Sequence, residues 1–284
     1  MKYSMREFLL WGNCTNKCDF CWQCQKRDES IFLNKDEMIS CIEDTLLKLD
    51  GINYGDDVLI VGGEILAPYY PEVNSYLQKL IDKCVLLLSE NKIRFLYVNT
   101  NLIYKDRINL VYLFEAIKGY EDRLKFTTSY DVYGRFKTKE SEQLFLENLL
   151  FIKETYPKVN TVVNSIITKQ LVESNFDEEK FKETYGVRYV NFIPYVPVPN
   201  DRSMDVEFKD IVRVLARTER KHKGYIDFYI NDFDLNQNKT LYQYHKHTGY
   251  EECTSKYSEC RHNENFKKVL NGECFICKLK EVFR

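Results

Sequence analysis

Proline and glycine are scarce, 6 and 11 in 284 residues, which excludes collagen-like and low-complexity chains. No run approaches the roughly 18 apolar residues that a membrane span requires. The short apolar stretch near the amino terminus has Arg6 and Glu7 too close to it for a signal peptide, so a cytoplasmic protein is expected. Nor does one sign of charge dominate, since 41 Lys+Arg stand against 43 Asp+Glu for a formal net charge of -2. The one compact basic run, Arg220 to Lys223, falls at an expected helix C-terminus, where cations are ordinary. The electrostatic footprint of a nucleic-acid binder is therefore weak. With 44% hydrophobic and 30% charged residues, the chain should bury a sizeable core without disulfide staples.

Short β-rich runs at 6–11, 57–61, 93–99, 123–129, 159–167 and 187–193 alternate with stretches of helical spacing. Asn34 and Glu37 form a capping-box pattern for a helix to Leu49, and Pro71 opens the next. Further helices are expected at 106–119, 138–155, 170–184 and 205–222. Six strand-then-helix units predict an α/β fold with a parallel sheet, most simply a partial (β/α)6 TIM-type barrel. Composition shifts after residue 223. The segment 224–284 holds three of the four histidines and four cysteines, which predicts a small metal-stabilised, cysteine-rich appendage on a 1–223 core.

Ten cysteines are many for a chain expected in a reducing compartment, and metal binding or catalysis is the expected use. Cys41 and Cys84 stand alone in apolar-periodic stretches and read as core residues. Cys14, Cys18 and Cys21 read C-x3-C-x2-C in the loop after the first strand, while Cys18, Cys21 and Cys24 read C-x2-C-x2-C, as in a ferredoxin. Three thiolates in so short a loop can hold three irons of a 4Fe-4S cluster and leave the fourth open to a ligand. Cys253, Cys260, Cys274 and Cys277 offer four soft ligands, which suit a second 4Fe-4S cluster or a closed Zn site. His245, His247 and His262 could replace a cysteine in either site.

CTNKCDFC, with Phe20 just before the third cysteine, resembles the cluster motif of the radical S-adenosylmethionine (radical SAM) family. The resemblance extends to Gly62, Gly63 and Glu64 after the second strand, similar to the family's GGE motif. It extends also to Asn99, Thr100 and Asn101 at the end of the third strand, and to the FIPYVP segment containing Pro194 at the end of the sixth. Residues 5–223 carry these matches in the family's order. The stretch from Cys260 through Gly272 to Cys277 resembles the opening of the family's C-terminal SPASM or Twitch extensions, although the chain ends seven residues later.

The resemblance implies an oxidoreductase in which S-adenosylmethionine (SAM) chelates the open iron and is reductively cleaved to a 5′-deoxyadenosyl radical that abstracts hydrogen from a substrate. The fold would supply binding and orientation. Glu64 would offer its carboxylate to the methionyl amine, the two glycines would let backbone approach the ligand, and Phe20 would lie by the adenine. Ser129, Asp131 and Asn164 could bond ribose hydroxyls. The C-terminal cysteines resemble the peptide- and protein-modifying branch, which implies a peptide or protein substrate and an electron donor such as flavodoxin or ferredoxin. A nucleoside or tRNA base is the alternative substrate, and a non-enzymatic iron-sulfur carrier or zinc-binding module is the alternative class. Cys24→Ala is expected to keep both the first cluster, read by iron and sulfide analysis, and SAM cleavage; loss of both would restore the ferredoxin-like triplet.

Overall fold

A computed structural model describes residues 4–21 and 32–194, together with Val214. Cys24, the helix expected at 205–222 and the whole cysteine-rich segment 224–284 lie outside the described residues, apart from Val214 within that helix. One compact unit takes in the described residues up to Ser165 together with Phe176–Val190; a second takes in Ile166–Asn175, Asn191–Pro194 and Val214.

Six strands form one sheet in the order β1 to β6: β1 (Met5–Leu9), β2 (Asp56–Val61), β3 (Ile93–Asn99), β4 (Leu124–Ser129), β5 (Thr161–Ile167) and β6 (Val187–Pro194). Pairing from β1 through β5 is parallel. Between the strands run α1 (Lys35–Asp50), α2 (Pro71–Ser89), α3 (Ile108–Ala116), α4 (Lys139–Thr155), α5 (Lys169–Glu173) and α6 (Glu178–Tyr185). This is the expected partial β/α barrel. Sequential strand order is what β-α-β crossovers of the usual right hand produce, each strand being laid beside the one before it.

Local chemistry fixes the element ends. The Asn34 side chain accepts from the Asp36 and Glu37 amides while Glu37 reaches back to the Asn34 amide, so the expected capping box forms. Pro71 occupies the first turn of α2. At the N-terminal ends of the strands, Asp56 binds Arg6 at 3.1 Å and Asp57 holds Arg94 through two bonds of 3.0 and 2.7 Å. These buried carboxylates tie β1, β2 and β3 in register.

Burial alternates along β4 and β5, with one face packed against helices. Leu77, Leu80, Ile81 and Cys84 of α2 share one small void with Ile60 of β2 and Leu96 and Val98 of β3. Phe114 of α3 meets Phe126 of β4 edge-on, with ring centroids 5.0 Å apart. Tyr130 and Phe136 join Phe145 of α4 and Phe181 of α6 in an aromatic cluster that closes the packing beyond β4.

Four expectations need correction. The helix expected over 170–184 is two helices, because Ser174 is extended and the Asp177 side chain caps a new start by accepting from the Lys180 amide. The helix expected over 106–119 runs only from Ile108 to Ala116, since the Asp106 side chain takes the Ile108 amide and the left-handed Gly119 lies beyond its end. The first strand ends at Leu9 rather than residue 11, although Leu10 still bonds the Val61 carbonyl at 2.9 Å. Cys84 is buried as expected, whereas Cys41 is only half-buried and directs its thiol to the Leu10 carbonyl at 2.9 Å.

Among the described residues, no helix is long and apolar enough to cross a membrane.

Candidate active site

The loops after β1, β2, β3 and β4 meet at the C-terminal ends of their strands, where α/β barrels gather function. The cysteine loop is zipped onto the loop after β2 by backbone: Gly63 donates to the Trp11 carbonyl at 2.7 Å and Glu64 to the Asn13 carbonyl at 2.8 Å. Trp11 returns its indole N–H to the Glu64 carbonyl at 3.1 Å, and the Tyr69 hydroxyl also donates to the Asn13 carbonyl. The two glycines are required by this contact. A Cβ on Gly63 would lie 2.3 Å from the Gly12 oxygen and 2.4 Å from the Asn13 oxygen, and one on Gly62 would lie 2.8 Å from the Trp11 oxygen. Their expected role was close approach to a ligand; in the structure they admit the backbone of the cysteine loop.

Glu64 anchors this contact from within. Its side chain is fully buried, and its carboxylate accepts from the Leu66 amide at 2.9 Å, the Thr100 hydroxyl at 2.8 Å and the Asn101 amide. The carboxylate faces inward and braces the β2 loop to the β3 loop. Burial pushes its pKa up to about 7, against the three donors that favour the charged form.

The β3 loop stands in a strained turn. Leu102 is buried and left-handed, with φ at 56°, a conformation that costs a non-glycine residue about 1–2 kcal/mol. The fully buried Asn148 of α4 holds this turn by donating to the Leu102 and Tyr104 carbonyls at 2.8 and 2.9 Å. The result is to aim Asn101 at the cysteines: its side-chain amide N–H lies 3.2 Å from Cys14 Sγ.

Cys14, Cys18 and Cys21 are free, half-buried thiols on one loop. The side-chain amide of Asn16 donates to Cys18 Sγ at 3.1 Å. On the other flank the loop after β4 closes in. Asp19 donates its amide to the Gly134 carbonyl at 2.8 Å, Lys137 pairs with Asp19, and Arg135 Nη1 comes within 3.7 Å of Cys18 Sγ. The Arg135 guanidinium also lies 5.3 Å from the centre of the Phe20 ring. Burial pushes the Cys18 thiol up to about 11, with Arg135 pulling the other way, and raises Cys14 as well. Thiols held neutral in this way release protons when a metal binds.

Among the described residues no three such side chains converge on a single ion. A 4Fe-4S cube makes a different demand, because each thiolate binds its own iron at a separate corner. Three unpaired thiols on one loop, with N–H donors already turned toward two sulfurs, fit that demand.

Of the remaining expected residues, Ser129 and Asn164 are direct neighbours across β4 and β5, and Asn99 is exposed opposite Thr127. Asp131 was expected at a ribose; its carboxylate is buried and takes Arg135 Nε at 2.6 Å. Pro194 ends β6, in the second compact unit. Arg135 and Asn16 escaped the sequence reading. Asp131 and Arg135 are four apart in DVYGR around the left-handed Gly134, and that spacing was the available signal. Asn16 carried none.

No protein-family model matches the sequence, and no curated protein does. Solved structures match the fold. With anSMEcpe bound to AdoMet the TM-score is 0.51 at 15% identity, covering 81% of this chain and 59% of that one. With the same protein bound to AdoMet and the Kp18Cys peptide the values are 0.50, 16%, 81% and 61%. With Streptococcus suis SuiB they are 0.51, 16%, 78% and 47%. The chain thus spans about half to three-fifths of the length of these proteins. All belong to the radical SAM group, and their likeness to this chain is one of fold.

Gly63→Ala forces a Cβ against two carbonyls of the cysteine loop and should cost about 1–3 kcal/mol in urea unfolding. The same variant should retain less iron per chain after reconstitution, because the loop can no longer sit against β2. Parent-like stability and iron content would show that the loop is held by something else.

Proposed function

We propose that this chain, which has the partial-barrel fold of the radical SAM enzymes, is itself a radical SAM enzyme that modifies a peptide or protein. One observation carries the reading: three free thiols stand on the β1 loop at the C-terminal ends of the strands, clamped from both sides and met by N–H donors. A 4Fe-4S cluster with one open iron would supply the electron that cleaves SAM to methionine and a 5′-deoxyadenosyl radical. Cys14, Cys18 and Cys21 would hold that cluster. The β2 loop would bind the amino-acid end of SAM through the backbone of Gly62 and Gly63, since the Glu64 carboxylate is committed to Thr100 and to two amides. Ser129 and Asn164, adjacent on the sheet, would receive the ribose, with Asn99 on the neighbouring strand end and Phe20 beside the base.

The chain's own part in the reaction is to fix the ligand between loops that are already braced, and to shield the cluster at a half-buried position. A peptide or protein substrate is supported by the likeness of Cys253, Cys260, Cys274 and Cys277 to a SPASM or Twitch opening, and by the fold shared with anSMEcpe, solved with a peptide. Those four cysteines would hold a second 4Fe-4S cluster or Zn. A flavodoxin or ferredoxin would deliver the electron.

The test is anaerobic reconstitution with iron and sulfide, followed by SAM and a low-potential reductant. 5′-Deoxyadenosine is expected by chromatography, and Cys14→Ala, Cys18→Ala and Cys21→Ala should each lower its formation at least a hundredfold. A colourless, air-stable protein that holds only Zn and forms no 5′-deoxyadenosine would overturn the reading.

A further inference from the structure

Arg135 is a nearly buried cation whose position the SAM-binding reading does not use. Its side chain is 11% exposed and that of its partner Asp131 is fully buried, with Nε and Oδ2 2.6 Å apart. The free arm of the guanidinium reaches Cys18 Sγ at 3.7 Å, and its plane lies near the Phe20 ring. The pair is therefore built into the wall of the cysteine loop and is not a surface ornament. Charges in such a water-poor setting act more strongly than they do in solvent.

Arg135 is the cation that stands against Cys18 Sγ, and its ion-pair partner Asp131 sets an opposite charge beside it. Asn16 adds an N–H to the same sulfur at 3.1 Å. A cluster on these thiolates becomes one unit more negative when it accepts an electron. A nearby cation and N–H donors to sulfur stabilise that reduced form, and a nearby carboxylate destabilises it.

We propose that Arg135 is a positioning residue that raises the reduction potential of the cluster held at Cys18, and that Asp131 limits the size of that effect. The inference rests on the cluster reading above but concerns a property that can be measured without SAM or substrate. The pair works as a charge balance: removing the cation makes the cluster harder to reduce, and removing the anion makes it easier.

The experiment is a mediated redox titration of the full-length reconstituted chain, with dithionite as reductant, following the electron paramagnetic resonance signal that Cys18→Ala abolishes. Arg135→Gln should lower the reduction equilibrium about tenfold, a shift of ~59 mV for a one-electron couple. Asp131→Asn should shift it upward, and Arg135→Lys should stay closer to the parent than Arg135→Gln. If Arg135→Gln retains no iron, the direction of the Asp131→Asn shift decides: upward supports the proposal, unchanged or downward overturns it. A cluster present in every variant with one common potential overturns the proposal and leaves the cluster reading standing. A parent chain that gives no such signal overturns both.

Discussion

The buried carboxylate of Glu64 is the constraint on which the rest of the site depends. It cannot reach solvent, and its environment is made of donors: two backbone amides and the Thr100 hydroxyl. Removing one partner of such a buried set leaves the others unsatisfied, at a cost of about 1–3 kcal/mol per group. The carboxylate thereby locks the β2 loop to the β3 loop. Because the Glu64 amide and carbonyl are at the same time bonded to Asn13 and to the Trp11 indole, the cysteine loop is locked to the same point. One residue joins three loops.

From that node the geometry propagates outward. Gly62 and Gly63 lie against the backbone of residues 11 to 13, so the start of the cysteine loop has little freedom of position. The β3 loop, strained at Leu102 and held by Asn148, presents Asn101 to Cys14. Backbone strain of this kind persists only where surrounding contacts over-determine it, and it tends to collect at functional sites. The loop after β4 supplies the second clamp through Gly134, Arg135 and Lys137. A three-cysteine cluster site needs both clamps, because three ligands on one loop give a cluster no anchorage elsewhere in the protein.

The alternation of β-rich runs and helical spacing made the barrel legible in the sequence, since buried parallel strands and amphipathic helices leave opposite periodicities. Strand positions such as 93–99 could be read to the residue. The break at Ser174 was hidden because apolar residues stand on both sides of it, Leu171 before and Phe181 after, and only the Asp177 cap betrays a second start. In the site, the cysteine triplet and the glycine pair were legible as patterns. The inward turn of Glu64 and the pairing of Asp131 with Arg135 were not, because the partners of a polar side chain depend on burial and on residues far away in the chain. Arg135 lies 117 residues from the sulfur that it faces.

If Cys14, Cys18 and Cys21 hold a 4Fe-4S cluster whose fourth iron is open to SAM, that iron must change its ligands when SAM binds. Mössbauer spectroscopy of the chain reconstituted with iron-57, recorded before and after SAM is added, reads that change. One iron of a four-iron cluster is expected to change its isomer shift on addition of SAM, and this response should disappear when the three cysteines are replaced together. A spectrum indifferent to SAM, or one that responds equally well without these three cysteines, would contradict this assignment.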